Sequence, residues 1–403
     1  MAIDNKDKKV LNVPPLRFPE FTEEWKAEQL DNIATLSKGI GISKEQLSED
    51  GEPCILYGEL YTKYKSEIIK QVESKTDING SKLKRSKAND VIIPCSGETA
   101  VDIATARCVP FDNILFGGDL NVISLHQYDG AFMSYQLNGK RKYDIARVAQ
   151  GVSIVHLYGE HLKAIKTYNP TLPEQQKIAK LLSLLDDRID TQNKIIERYE
   201  SLIRGINQYA FTNTGINYKL GEICEIRSGY SGNQLTLKNG LKVSRIETIS
   251  GHKVNMERVG YVAPFESSEN YRLQIGDILF SNINSVEYIG NTAFIDKDYN
   301  LYHGMNLLRL IPKKELVMPF YLYLVLNTNR LLNHFKTVCN KAVSQASINQ
   351  TELGKTIVRI PNLMNQNRIC ELFQTLYTKL EAERYFISLL QDQKQHLLRQ
   401  MFI

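Results

Sequence analysis

One tryptophan stands in 403 residues, and the six cysteines (54, 95, 108, 224, 339, 370) include no CxxC pair. Thiols scattered in this way argue against a zinc site and against a disulfide framework, and they fit reduced cysteines in a cytoplasmic protein. No run approaches the 18 or more apolar residues of a membrane span, and the N-terminal MAIDNKDKKV lacks the apolar stretch of a signal peptide. Catalytic motifs are missing too. There is no [DNS]PP[YF] tetrapeptide, no GxGxxG and no Walker loop, and the seven histidines (126, 156, 161, 252, 303, 334, 396) show no HExxH or paired spacing. Glu24-Trp-Lys26 has the form of a nuclease E-x-K fragment, but no Pro-Asp precedes it and chance accounts for it. No catalytic residue, no metal and no cofactor are therefore assigned to this chain. The net charge of +5 is mild, permitting a polyanionic partner without arguing for one.

What is present begins with a seam. From Leu172 to about Phe211 the apolar residues Ile178, Leu182, Leu185, Ile189, Ile196, Tyr199, Ile203, Ile206 and Ala210 alternate steps of four and three, broken only by Gln192. Heptad spacing keeps one face against a partner helix. Pro173 and Glu174 suit the first turn, and at 1.5 Å per residue the helix is a spacer of about 57 Å. The seam recurs 191 positions later (Ile178 to Ile369) as Ile369, Phe373, Leu376, Leu380, Ile387, Leu390, Leu397 and Met401, with Glu383 in the place of Gln192. Polar residues within a seam favour one register. Lys394 stands where the first copy has Ile203, so that layer is expected to be weaker or to send the ammonium out to solvent.

The segments before each helix repeat as well. Leu30, Ile33 and Ser37-Lys38-Gly39 are answered by Leu220, Ile223 and Ser228-Gly229; Asn89 to Ile93 by Gly276 to Phe280; Gly118 to Leu125 by Gly304 to Leu310; Phe132 and Tyr135 by Phe320 and Tyr323. Gln150-Gly-Val-Ser153-Ile154 is matched with Gln345-Ala-Ser347-Ile348, and Leu162 and Pro170 with Leu353 and Pro361. Residues 53–60, 90–95 and 119–125 read as buried strands, Phe132 to Asn138 as a short helix, and Trp25 as an anchor. The chain is thus a duplicated unit of globular block then rod. Only about seven residues link the first rod to the second block, which predicts antiparallel rods with one block at each end.

The scaffold phrases agree between the copies while the residues between them diverge, a pattern that suits two readers of different ligands. Block one crowds Lys63, Lys82, Lys84, Arg85 and Lys87 near Tyr57 and Tyr61, with Lys38 and Gln150 at neighbouring loops; block two offers Arg227, Ser228, Tyr230, Arg245, Asn282, Asn284 and Gln345. Basic side chains neutralise phosphates, and Arg, Asn, Gln, Ser and Tyr reach base edges. A lysine run by itself is more often a solvated loop. Its place in one of two duplicated heads on a spacer favours DNA.

Arg17-Phe-Pro-Glu-Phe21 with Trp25, Gln150 to Ile154, Leu172-Pro-Glu-Gln-Gln-Lys-Ile178 and the weaker copy from Pro361 to Ile369 carry a resemblance to the specificity subunits of type I restriction-modification enzymes, over nearly the whole chain. The resemblance implies an α+β fold in which two duplicated target-recognition domains are separated by a pair of long antiparallel coiled-coil helices about a pseudo-twofold. Its expected boundaries are a flexible arm over 1–16, recognition domains over 17–170 and 213–361, and spacer helices over 171–212 and 362–403. It further implies a non-catalytic subunit whose domains each bind half of a split site in double-stranded DNA. The partners implied are two modification subunits, which carry S-adenosylmethionine, and two restriction subunits in the full enzyme. Two other readings are a fused restriction-methylation enzyme, which needs the motifs missing here, and a coiled-coil scaffold that binds only protein, which leaves the basic heads unexplained.

Overall fold

A computed structural model describes residues 11–211, 215–341 and 345–403. The chain divides into two compact units, Met1–Lys194 with Arg384–Ile403, and Ile195–Glu383. Each unit therefore holds one head and a portion of both long helices, which run Leu172–Ala210 and Leu363–Gln400.

The heads share one frame. Unit one has a four-stranded antiparallel sheet in the order Ala34–Lys38, Leu120–Leu125, Asp90–Pro94, Arg107–Val109, and unit two repeats it as Cys224–Ser228, Leu307–Pro312, Ile278–Ser281, Thr292–Phe294. Successive strand residues point to opposite faces. Val91 and Ile93 enter one core with Met133 and Leu137, while Ile92 enters another with Ile55, Phe116 and Val122. Ile278 and Phe280 likewise face one core and Leu279 a second. Burial on both faces explains why these strands are apolar without alternation. The stretch 53–60 is a strand only over Glu52–Ile55. Glu59, itself buried, accepts the Leu56 N–H at 2.9 Å and opens a helical turn over Glu59–Thr62.

A buried glutamine joins each head to its long helix. Gln175 accepts from the Asp129 N–H (2.9 Å) and donates to the Pro170 carbonyl (2.8 Å). Gln366, at the same offset of 191, accepts from the Met318 N–H (2.7 Å) and donates to Pro361 O (2.8 Å) and Leu316 O (3.1 Å). Unit one adds Glu174, whose carboxylate takes a two-pronged Arg17 guanidinium (2.7 Å each) and the Trp25 indole N–H (3.3 Å). Trp25 packs edge-on to Phe132 and Phe402. Residues 1–10 of the expected arm, and 212–214 of the linker, lie outside the described residues. From Asn12 the chain is tied down, with the Trp25 N–H donating to Asn12 O and the Leu16 N–H to Gln400 O.

Within each unit the long helices pair along the seam. In unit one, Ile178 and Leu182 share a cluster with Leu398 and Met401, Asp186 meets Lys394, and Arg188 lies over the Phe386 ring, so the two helices run antiparallel there. In unit two, Ile203 clusters with Phe373, Leu376 and Leu380. Every predicted seam position is buried or half-buried: Ile178, Leu182, Leu185, Ile189, Gln192, Ile196, Tyr199, Ile203, Ile206 and Ala210 on the first helix, and Ile369, Phe373, Leu376, Leu380, Glu383, Ile387, Leu390, Leu397 and Met401 on the second.

Lys394 departs from expectation. It does not reach solvent. The side chain is 13% exposed and bridges Glu67 (9%) and Asp186 (5%) at 2.6 Å each, with Tyr135 donating to Asp186 at 2.7 Å. Burial opposes the Lys394 charge, but the two carboxylates outweigh it and hold the ammonium above its usual range. Burial also opposes ionisation of Glu67, and Lys394 overcomes it. Removing one partner of such a cluster strands the others as buried charges. Lys394→Met is therefore expected to lower unfolding stability by roughly 3–5 kcal/mol in urea titrations, and adding Glu67→Gln and Asp186→Asn should recover most of it.

His303 makes a second test. Its Nε2 donates to the Leu307 carbonyl at 2.9 Å, and burial holds its pKa down to about 4 against the usual 6.5. The unfolded chain takes up its proton first as pH falls, so the stability present above about 6.5 is lost progressively toward pH 4. At roughly 1.4 kcal/mol per pKa unit the loss is on the order of 3 kcal/mol. Urea midpoints between pH 7 and pH 4 should fall less for His303→Gln, which keeps a donor but does not titrate, than for the parent chain.

Candidate nucleic-acid interface

In head one, three chain crossings meet where the strands end. Lys38 pairs with Asn121 at the end of its strand, and Gly39 then passes so close to Gly117 that a Cβ would collide with the Gly117 carbonyl. Gly117 N–H donates to Ile55 O (2.9 Å) and Ile40 N–H to Phe116 O (3.0 Å). Gly229 crosses Gly304 in the same way in head two, so Gly304 matches Gly117 rather than Gly118. A small sheet continues this end in head one. Lys84 pairs with Phe116, which also pairs with Ile55, placing Lys84 in the row nearest Tyr57. Arg85 lies one row back and forks onto Glu52 at 2.6 and 3.0 Å.

The basic run is thus divided. Lys82 and Lys84 lead to the Tyr57 end; Arg85 turns to Glu52; Lys87 is exposed in the turn beyond, where Asp90 accepts its N–H (2.8 Å). Lys63 points inward to Glu59 (2.7 Å) and Ser74 (2.7 Å). Exposed ion pairs such as Arg85–Glu52 hold weakly and can be exchanged for a phosphate.

A chain of contacts then joins Lys38 to Tyr61. The ammonium of Lys38 lies 5.5 Å from the Tyr158 ring centre, Tyr158 stacks on His156, His156 Nδ1 meets Ser96 Oγ at 3.3 Å, and Tyr61 donates to Ser96 O at 3.1 Å. Burial pushes the Tyr61 phenol above its usual range, so it stays a neutral donor. Tyr57 and Tyr61 line a cleft of about 810 Å³ whose other walls include Ser96, Gly97, Asp102, Thr105, Arg107, Ser153 and Ile154. Gln150 is exposed at the base of the hairpin that carries Ser153 and Ile154. His156, Tyr158 and Ser96 were missed from the sequence. Nothing in their spacing marks them, because strand pairing alone assembles them.

Head two presents a different surface on the same frame. Tyr230 N–H donates to His303 O (2.9 Å), and the Tyr230 ring lies 3.9 Å from Phe265 at 5°, with Tyr271 against its edge. Ser228 is exposed at the strand end, and Arg227 grips Glu225 at 2.6 Å, holding that carboxyl below its usual range. Arg245, paired with Glu247 at 3.4 Å, borders a depression of about 360 Å³ walled by Ser231 to Gln234, Met305 and Asn306. Beside it Glu247, Asn284 and Tyr288 border another of about 270 Å³. Asn282 donates to Ile348 O (3.3 Å) and Asn284 to Ser281 Oγ (3.1 Å). Gln345 is exposed next to Ala346, the strand partner of Asn284.

The hairpin match read from sequence needs correction. In head one Gly97 pairs with Val155, Ser96 with His156, and Leu157 N–H donates to Cys95 O. In head two Asn284 pairs with Ala346, Ile283 with Ser347, and Ile348 N–H donates to Asn282 O. His156-Leu157, not Ser153-Ile154, therefore corresponds to Ser347-Ile348, at the offset of 191 that also relates Leu162 to Leu353. Gln150 pairs with His156 as Asn340 pairs with Ser347, so the head-two hairpin is one residue longer. The shared letters Gln, Ser and Ile drew the phrase out of register.

Among the described residues no group of histidine, cysteine or acidic side chains is placed to hold a metal ion, and no helix is long and apolar enough to cross a membrane.

The chain matches the family described as type I restriction modification DNA specificity domain at residues 22–201 and 216–386. A chain assigned as the MjaX type I restriction enzyme specificity subunit of Methanocaldococcus jannaschii is 38% identical over 188 residues, 46% of this chain and 44% of that protein. The MjaVIII type I restriction enzyme specificity subunit of the same organism is 24% identical over 92% of this chain and 89% of that protein. The crystal structure of the type I restriction-modification S subunit from M. genitalium superposes with a TM-score of 0.61 at 17% identity, covering 97% of this chain and 99% of that one. A chain from a structure concerned with complex assembly of the type I R-M system gives 0.59 at 18% identity, over 95% and 98%. At these identities the structures agree in fold. With two family domains on one frame, the chain belongs to the type I restriction-modification DNA specificity family, as a DNA-recognition subunit and not an enzyme.

Proposed function

We propose that each head binds one half of a bipartite, asymmetric site in double-stranded DNA, and that the two long helices set the spacing between the halves. The observation that carries this reading is the pair of heads with one sheet order and one glycine crossing but different side chains around it. In head one the proposed contacts are Lys38, Tyr57, Tyr61, Lys82, Lys84, the exposed Lys87 and Gln150, with Lys63 and Arg85 contributing if their present partners are exchanged for phosphate. In head two they are Arg227, Ser228, Tyr230, Arg245, Asn282, Asn284 and Gln345. Tyr230, held by Phe265 on one face and by Tyr271, would contribute its hydroxyl.

The chemistry then belongs to partners. Two modification subunits, binding S-adenosylmethionine, would dock on the helices, and two restriction subunits would complete the enzyme, in the cytoplasm. A coiled-coil scaffold without DNA specificity draws no support from the family match.

Equilibrium binding of the full chain to duplex DNA across a salt series tests the reading. Each phosphate that a variant no longer neutralises reduces the slope of log K against log salt by about 0.9. Lys38→Ala with Lys84→Ala should weaken binding and flatten the slope by roughly two counterions. Arg85→Ala should do less, since Glu52 already holds that guanidinium. An unchanged slope in the double variant would place this end of the head away from DNA.

A further inference from the structure

Two apolar side chains of head one bury little within the fold. Val152 is 98% exposed and Ile154 60% exposed. The hairpin beneath them is firmly built. Gln150 and His156 exchange backbone hydrogen bonds at 2.9 and 2.7 Å, and the return arm pairs with Ser96–Gly97. Gly151 has φ 124°, and a Cβ there would collide with the Ile154 carbonyl, so the turn needs glycine. A single exposed apolar residue calls for no explanation. Two of them on a pinned tip, beside the cleft lined by Tyr57 and Tyr61, do.

The charge pattern indicates what covers them. From Val148 to Leu157 the chain carries no acid and no lysine or arginine, yet the return arm leads through His156 to Tyr158, which lies under the Lys38 ammonium. Cations suit the phosphate rails of a duplex. An uncharged apolar finger suits the groove between them, where sugars and base edges offer apolar surface.

We propose that the Val152–Ile154 tip enters a groove of the duplex and packs its two apolar side chains against sugars and base edges regardless of sequence. In the corrected register Val152-Ser153 corresponds in sequence to Val343-Ser344, which lie outside the described residues. Val152 is thus kept in the second copy while Ile154 gives way to Gln345, and an apolar residue kept between diverging loops is suited to holding any duplex, not to choosing bases. The inference rests on the DNA-binding reading of head one.

The test uses the full chain and two labelled duplexes of unrelated sequence. Val152→Ser with Ile154→Ser should weaken binding to both duplexes equally, by roughly tenfold or more because two apolar side chains no longer leave water on binding. The salt slope should stay unchanged, because Lys38 and Lys84 remain in place to neutralise phosphates. Lys38→Ala, measured alongside, should instead lower the slope by about one. Because both side chains are exposed, the urea midpoint should not move. Full affinity in the serine variant, with Lys38→Ala still effective, would overturn the tip's role and leave the DNA reading standing. A weakening on one duplex alone would make the tip a reader of sequence and overturn it too, as would weaker association with a modification subunit at unchanged DNA affinity. If the unaltered chain bound neither duplex, the DNA reading itself would fail.

Discussion

The start of each long helix packs on the head it follows, Ile178 and Leu182 against Trp25 and Phe132, and Cys370 within the head-two core. In each copy one buried amide adds a directional constraint that apolar packing lacks. Gln175 and Gln366 each satisfy a head backbone N–H and the carbonyl of the proline before the helix. A buried amide left without partners costs about 1–3 kcal/mol, so the first turn of the helix is held in one phase against its head. The direction in which each set of strand ends faces follows from that phase. Any use of the helices as a spacer between two readers depends on it.

On this common joint the units are finished differently. Unit one reinforces it with Arg17, Trp25 and Glu174, and closes the seam with the Lys394 cluster. Unit two has Ile203 at the position matching Lys394, in an apolar layer with Phe373, Leu376 and Leu380. Buried charge clusters demand one geometry, whereas apolar layers tolerate small shifts. The strand ends differ too, a chain from Lys38 through Tyr158 and His156 to Tyr61 in head one and a Tyr230–Phe265–Tyr271 stack in head two. Frame and surface have separate constraints, as expected of two readers of unlike targets.

Much of the frame was legible because it is periodic or repeated. The heptads show in spacing alone, and the strand Asp90–Pro94 shows as an apolar run that recurs at Ile278. What escaped depends on contacts distant in sequence. Lys394 looked like a weak layer because Glu67, 327 residues away, cannot be paired with it from spacing. The run Lys82 to Lys87 looked like one patch because strand register, which sends Arg85 to Glu52, is not written in composition. The hairpin phrase misled for the opposite reason: identical letters outweighed a ladder that only hydrogen bonds reveal. Residues 53–60 shortened to a strand of four because the Glu59 carboxylate, not hydropathy, ends it.

The central claim is that the paired helices space two independent readers. Inserting one heptad into both helices, after Gln192 and after Glu383, keeps the seam in register and lengthens each by about 10 Å. At 3.4 Å per base pair that is roughly three more bases between half-sites. Sequencing of methylated sites, with the variant assembled beside its modification subunits, should show both half-sites unchanged and the gap longer by about that amount. An unchanged gap with activity intact would contradict the account.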